Sequence, residues 1–207
     1  MKKLKLVLPK TLFNFNPETD IVFFLAGPIR GGGDWQKTAI NILQEFTTGV
    51  PEQMNVYVVC PCRYDSTHEL YPLKFIGIPE NEYTDEQKKI TESQTNWERY
   101  YLEIAGRYGC ITFFLAKEDP SNPRKKEEGP YARDTYGELG EWRARLYYEH
   151  KYADTRMNLF IGADPEFPGL EQIHKNYRRM LFEGFKISSS LKELLERATT
   201  SRNWWKK

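Results

Sequence analysis

Four short apolar runs interrupt an otherwise polar chain: IVFFLAGP (21–28), NVYVVCP (55–61), CITFFLAKEDP (110–120) and MNLFIGADP (157–165). Each is continuous rather than alternating, as strands buried on both faces of a parallel sheet are. Each is stopped by Gly, Pro or Asp, the turn chemistry of a strand end. A fifth stretch near the start, LKLVLP, alternates and predicts an edge strand.

Helical spacing fills the gaps. Trp35, Ala39, Ile42, Leu43 and Phe46 recur on one face, with Asp34 placed as N-cap. Trp97, Tyr101, Ile104, Ala105 and Tyr108 repeat the pattern over 94–108, and Leu139, Trp142, Leu146 and Tyr147 make a third stripe from 138 onward. Strands alternating with helices predict an α/β three-layer, flavodoxin-like fold, with a mainly parallel sheet of about five strands.

Two regions break the alternation. Residues 64–93 form a long connection, of the kind that serves as a lid or insertion. Residues 117–134, KEDPSNPRKKEEGPYARD, read as a mobile surface loop. The segment SLKELLERATTSRNWWKK predicts a short helix with an aromatic-basic end.

The 207 residues suit one domain, with a core at about 21–170, an insertion at about 64–93 and a C-terminal extension over 171–207. A net charge of +1 gives no argument for a nucleic acid polymer or an acidic membrane. No run approaches the roughly 20 apolar residues of a membrane span, and the basic start MKKLKLVLPK is too short in its apolar part for a signal peptide. The three cysteines do not read as a disulfide framework and predict a reducing, cytoplasmic setting. Cys60 and Cys62, with only Pro61 between them, read as structural.

In an open parallel sheet, ligands bind beyond the carboxyl ends of the strands. Four stretches lie there: Ala26-Gly27-Pro28 to Trp35, Cys60 to Arg63, the loop leading into Glu138, and Gly162 to Asp164. In DTYGELGEWRARL, Glu138 is expected at a helix start facing this crevice. Unpaired N–H groups there favour an anion, so the carboxylate is expected to stay ionised. Such a group can attack an electrophilic carbon, as in glycosyl transfer; it can equally be an ordinary first-turn acid. Glu141 has Arg145 four residues on and reads as a surface ion pair.

Other chemistries fit poorly. GGGDW lacks the GK[ST] of a P-loop, and no G-x-G-x-x-G follows the first strand. His68, His150 and His174 lack metal-ligand spacing, and there is no G-x-S-x-G.

The ordered set FFLAGPIRGGGDWQ, VVCPCR, SQTNWERYYLEIAGRYGCITFFLA, YGELGEW and LFIGADPEFPG resembles the nucleoside 2-deoxyribosyltransferase-like family over roughly residues 21–170. The resemblance implies transfer of 2-deoxyribose between nucleobases, with no cofactor and no metal. Its partners would be nucleosides and free bases, and the protein a homo-oligomer. It implies Glu138 as nucleophile on the anomeric carbon, with two inversions giving retention. Glu98 would hold the sugar hydroxyls or support Glu138, and Asp134 would bind or protonate the base. Ala26, Gly27 and Pro28 would form a backbone floor against the sugar, or simply end a strand. Trp35 would stack on the base, or belong to its helix's apolar stripe. Arg63 would bind substrate, or pair at the sheet edge, and Tyr136 would hydrogen-bond the nucleophile. The insertion at 64–93 and the proline-rich loop depart from a minimal member, so base preference does not carry over. Two rivals stand beside this reading: an N-glycosidase on the same scaffold, and a non-catalytic nucleotide-binding module.

Overall fold

The computed structural model describes residues 4–121, 124–153, 157–180 and 185–200. Five strands run parallel: β1 (Lys5–Val7), β2 (Asp20–Ala26), β3 (Asn55–Val59), β4 (Gly109–Leu115) and β5 (Leu159–Ala163). Their order is β1-β3-β2-β4-β5. The helices are α1 (Trp35–Phe46), α2 (Asp85–Thr91), α3 (Gln94–Tyr108), α4 (Arg133–Tyr152), α5 (Leu170–Met180) and α6 (Leu191–Thr200). This is the expected three-layer, flavodoxin-like α/β architecture, and β1 is at the edge as its alternation predicts.

Every residue of β2 and β4 is buried, because helices cover both faces. On one face Val22, Phe24, Ile111 and Phe113 meet Trp97 and Tyr101 of α3, Trp142 of α4 and Tyr177 of α5. On the other, Phe23, Leu25 and Cys110 meet Ile40 and Leu43 of α1 and Leu194 and Leu195 of α6. Part of the expected C-terminal extension belongs to this core: Leu194, Leu195 and Ala198 of α6 are buried in it, and a Cβ at Gly162 of β5 would come within 2.8 Å of Leu194. The tail from 201 lies outside the described residues.

The connection at 64–93 starts beside α1, where Tyr64 and His68 reach Asp34 at 2.6 and 3.2 Å. Its middle runs along the sheet edge: Phe75 N–H donates to Leu6 O at 2.7 Å and Ile78 N–H to Leu12 O at 2.8 Å. Lys74 bridges to Leu6 in parallel, extending the sheet beyond β1. At the opposite edge Ser188 bridges to Gly162, with Ser188 N–H donating to Ile161 O at 2.8 Å and Ala163 N–H to Ser188 O at 2.9 Å. Among the described residues no helix is long and apolar enough to cross a membrane.

The chain passes from β2 through α1 to β3 on one side, then returns over β2 through α3 to β4. The connections diverge between β2 and β4, and that divergence opens a crevice at the strands' carboxyl ends. Helices α3 and α4 are neighbours, joined by the Arg99–Glu141 ion pair at 3.6 Å.

Candidate active site

Two anchors set the pitch of α3. Trp97 Nε1 and the Tyr101 hydroxyl both donate to the carbonyl of Thr11, at 2.9 and 3.0 Å. Ser93 caps the helix by accepting from Asn96 N–H. With Trp97 and Tyr101 turned into the core, Glu98 stands at the side of the helix, half-buried, facing α4.

Helix α4 begins at Arg133, not at Glu138. Its N-cap, Ala132, has a left-handed φ of 56° and no side-chain cap, and Tyr136 N–H already donates to Ala132 O at 3.0 Å. Burial of Thr135, Leu139 and Trp142 holds this turn together despite Gly137, a poor helix former. Glu138 therefore lies in the second turn. The helix-end field fades within the first turn, so it does little for this carboxyl.

What surrounds Glu138 instead is other acid. Burial, then Glu98, then Asp134 and Glu141 push its pKa up from 4.5 to about 8. The expectation of an ionised carboxylate is thus corrected: near neutral pH Glu138 carries a proton. Glu98 is also pushed up, by burial and by Asp134, against the opposing effect of a hydrogen bond from Gln94. Asp134, in the first turn of α4, is exposed and lies 3.4 Å from Arg133. The structure thus brings Glu138, Glu98 and Asp134 within electrostatic reach of one another. Glu141 pairs with Arg145 at 3.0 Å and Arg99 at 3.6 Å, the surface role its spacing predicts.

Gln94 is the residue that sequence reasoning left unassigned. Its Nε2 donates to Glu98 Oε1 at 2.7 Å and to Pro61 O at 3.3 Å, and its Oε1 accepts from Arg63 Nη2 at 3.0 Å. The spacing of Gln94 and Glu98, four apart on one helix, was a usable signal. Arg63 is thereby tied to the acid cluster through Gln94 rather than to the sheet edge.

The β2 turn is built for its own neighbours. Gly27 has φ 147°, and a Cβ there would lie inside contact distance of Phe114 O and 2.9 Å from the Trp35 ring. Gly27 thus answers to β4 and α1; Ala26 is buried at the strand end and Pro28, also buried, follows it. Trp35 is 7% exposed, sits in the core beside Phe114 and donates Nε1 to Pro28 O at 2.9 Å. Stacking on a base is closed to it: the ring is spent on packing, and it supports the turn from below. Tyr136 does not bond Glu138; its hydroxyl donates to Pro168 O and its ring tilts against Phe167.

The loop at 117–134 is stapled to this turn in its described parts. Asp119 N–H donates to Gly31 O at 2.7 Å, the Tyr131 hydroxyl to Ala116 O at 2.6 Å, and Arg124 reaches Gly129 O. Cys60 and Cys62 are buried and free, and burial pushes the Cys60 thiol up, which leaves it inert. Among the described residues no group of three or more His, Cys, Asp or Glu side chains could hold a metal ion. A separate groove of about 570 Å³ lies farther along α3 and α4, lined in part by Arg107, Tyr148 and Tyr152; it includes neither Glu98 nor Glu138.

A carboxyl pair of this kind can hold one proton between two groups, the arrangement that general acid and nucleophile share in glycoside chemistry. No protein-family model matches the chain, and no curated protein matches it.

Proposed function

We propose that this protein cleaves the N-glycosidic bond of a 2′-deoxynucleoside and passes the deoxyribosyl group to a second nucleobase. The observation that carries the proposal is the acid cluster at the crevice: Glu138, half-buried, with Glu98 and Asp134 raising its proton affinity. The choice of deoxynucleosides as substrate rests on the sequence resemblance.

The cluster's single proton matches what the reaction requires. The C1′–N bond breaks with its electron pair going to the base. The base takes up the proton held by the cluster, with Asp134 placed at the open side of α4 to pass it on. A Glu138 oxygen, now ionised, forms an ester bond to C1′. A second base then attacks C1′ from the face the first one left, its N–H proton returns to the cluster, and the ester bond breaks. Two inversions give net retention, with ping-pong kinetics.

The test is a chromatographic assay of the pure protein with 2′-deoxynucleosides, with and without an acceptor base, beside Glu138→Gln. New deoxynucleosides that require the acceptor and vanish in the variant support the proposal. Free base and deoxyribose without exchange would replace it with an N-glycosidase. No turnover of deoxynucleosides, ribonucleosides or their 5′-phosphates would remove the enzymatic reading.

A further inference from the structure

The three hydrogen bonds of Gln94 leave its amide one orientation. Arg63 can only donate, and the Pro61 carbonyl can only accept. Turning the amide over would set N–H against N–H at Arg63 and oxygen against oxygen at Pro61. The amide nitrogen is therefore committed to Glu98 Oε1, at 2.7 Å. A donor held in that way prefers the carboxylate to the carboxylic acid.

No comparable donor reaches the Glu138 carboxyl among the described residues. The groups facing it are Glu98 across the helix pair, Asp134 one turn back and Glu141 one turn on. Those facing Glu98 are Glu138 and Asp134 from α4 and Gln94 from its own helix, with Arg63 acting only through Gln94. The two acids thus differ in one respect above all: one has a fixed donor and the other does not.

We infer that Gln94 is a positioning residue, whose locked amide keeps Glu98 the anion of the pair and so assigns the cluster's proton to Glu138. The inference deepens the proposed function, since it says why the nucleophile begins the cycle protonated. Arg63 belongs to the same device. It fixes the Gln94 amide from behind, which gives a cation at the crevice a role that needs no contact with substrate.

The test reads the protons directly. Carbon-13 NMR of glutamate side-chain carboxyls, assigned with Glu98→Gln and Glu138→Gln, is followed against pH in the wild type and in Gln94→Leu. In the wild type, Glu138, pushed up to about 8, is expected to keep its proton to a higher pH than Glu98, which is itself raised. In Gln94→Leu the Glu98 titration moves up by about one pH unit, the size of one lost charge-assisted hydrogen bond. The acid limb of the kcat/KM profile moves with it. Arg63→Met, which keeps Gln94 but frees its amide, gives part of the same shift and serves if Gln94→Leu does not fold. A Glu98 titration that stays in place in a folded Gln94→Leu, or in Arg63→Met where that variant serves, overturns the inference. The two proposals separate cleanly. A moved titration in a protein that turns over no nucleoside keeps Gln94's role and removes the proposed function. Turnover with an unmoved titration does the reverse.

Discussion

The indole N–H of Trp35 donates to the carbonyl of Pro28 at 2.9 Å, so the floor of the crevice is held from beneath by the first residue of α1. Trp35→Phe keeps most of the packing and removes this bond. It should lower stability by about 1–2 kcal/mol, read as a lower denaturant midpoint with an unchanged slope. A variant as stable as the wild type would show that the turn stands without the tryptophan.

Gly27 tolerates no side chain. Its φ of 147° and the nearness of the Phe114 carbonyl both exclude a Cβ. Gly27→Ala should cost on the order of 3 kcal/mol, with the β2–β4 contact pushed apart. Thermal unfolding measures it; a melting temperature within a degree or two of the wild type would contradict the geometry.

Glu138 makes stability depend on pH in a definite direction. Its folded pKa of about 8 lies above the ordinary 4.5, so the folded state holds the proton more tightly than the unfolded one. The stabilisation is complete below about pH 4.5 and is lost as pH rises through 8. Glu138→Gln removes this dependence. It should gain on the wild type as pH rises, on the order of 3 kcal/mol by pH 9 and less where water screens the crevice. Parallel stability curves for the two proteins from pH 5 to 9 would rule this out.

In the proposed transfer, the same proton would set the rate profile. Because the leaving base must be protonated, kcat/KM for a deoxynucleoside should fall about tenfold per pH unit above the free-enzyme pKa near 8. On the acid side it should fall once Glu98, itself raised, is protonated as well. A rate that keeps rising to pH 10 would mean that the reacting form is the fully ionised one.

Tyr136 separates structure from chemistry. Its hydroxyl serves the Pro168 carbonyl, in the turn after β5. Tyr136→Phe should cost about 1 kcal/mol of stability and leave the titration of Glu138 where it was. A displaced Glu138 titration would put the hydroxyl beside the carboxyl after all.

The strands were legible because burial on both faces writes a continuous apolar run, as in IVFFLA and CITFFLA, and few other structures do. The start of α4 was not legible. Pro130, Asp134 and Gly137 all read as loop, and it is burial of Thr135, Leu139 and Trp142 beneath the helix, a tertiary effect, that accompanies a helical 133–137. That one turn decides the chemistry of Glu138, since it moves the carboxyl away from the helix end and in among other acids. Trp35 was ambiguous for a related reason. An aromatic at the first position of a helix beside a crevice can face either way, and the Pro28 carbonyl settles which. Arg63 and Gln94 lie 31 residues apart, and their pairing with Glu98 depends on the path of the long connection between them.

That connection has another consequence. A sheet's outer strands carry rows of unpaired amides, and these invite a neighbouring chain to add a strand. Here Lys74 and Phe75 occupy the β1 side and Ser188 occupies the β5 side. With both flanks taken by short irregular segments, strand-by-strand growth into fibrils has no ready template. Shortening residues 64–93 would uncover the β1 flank and should yield a protein prone to polymerise.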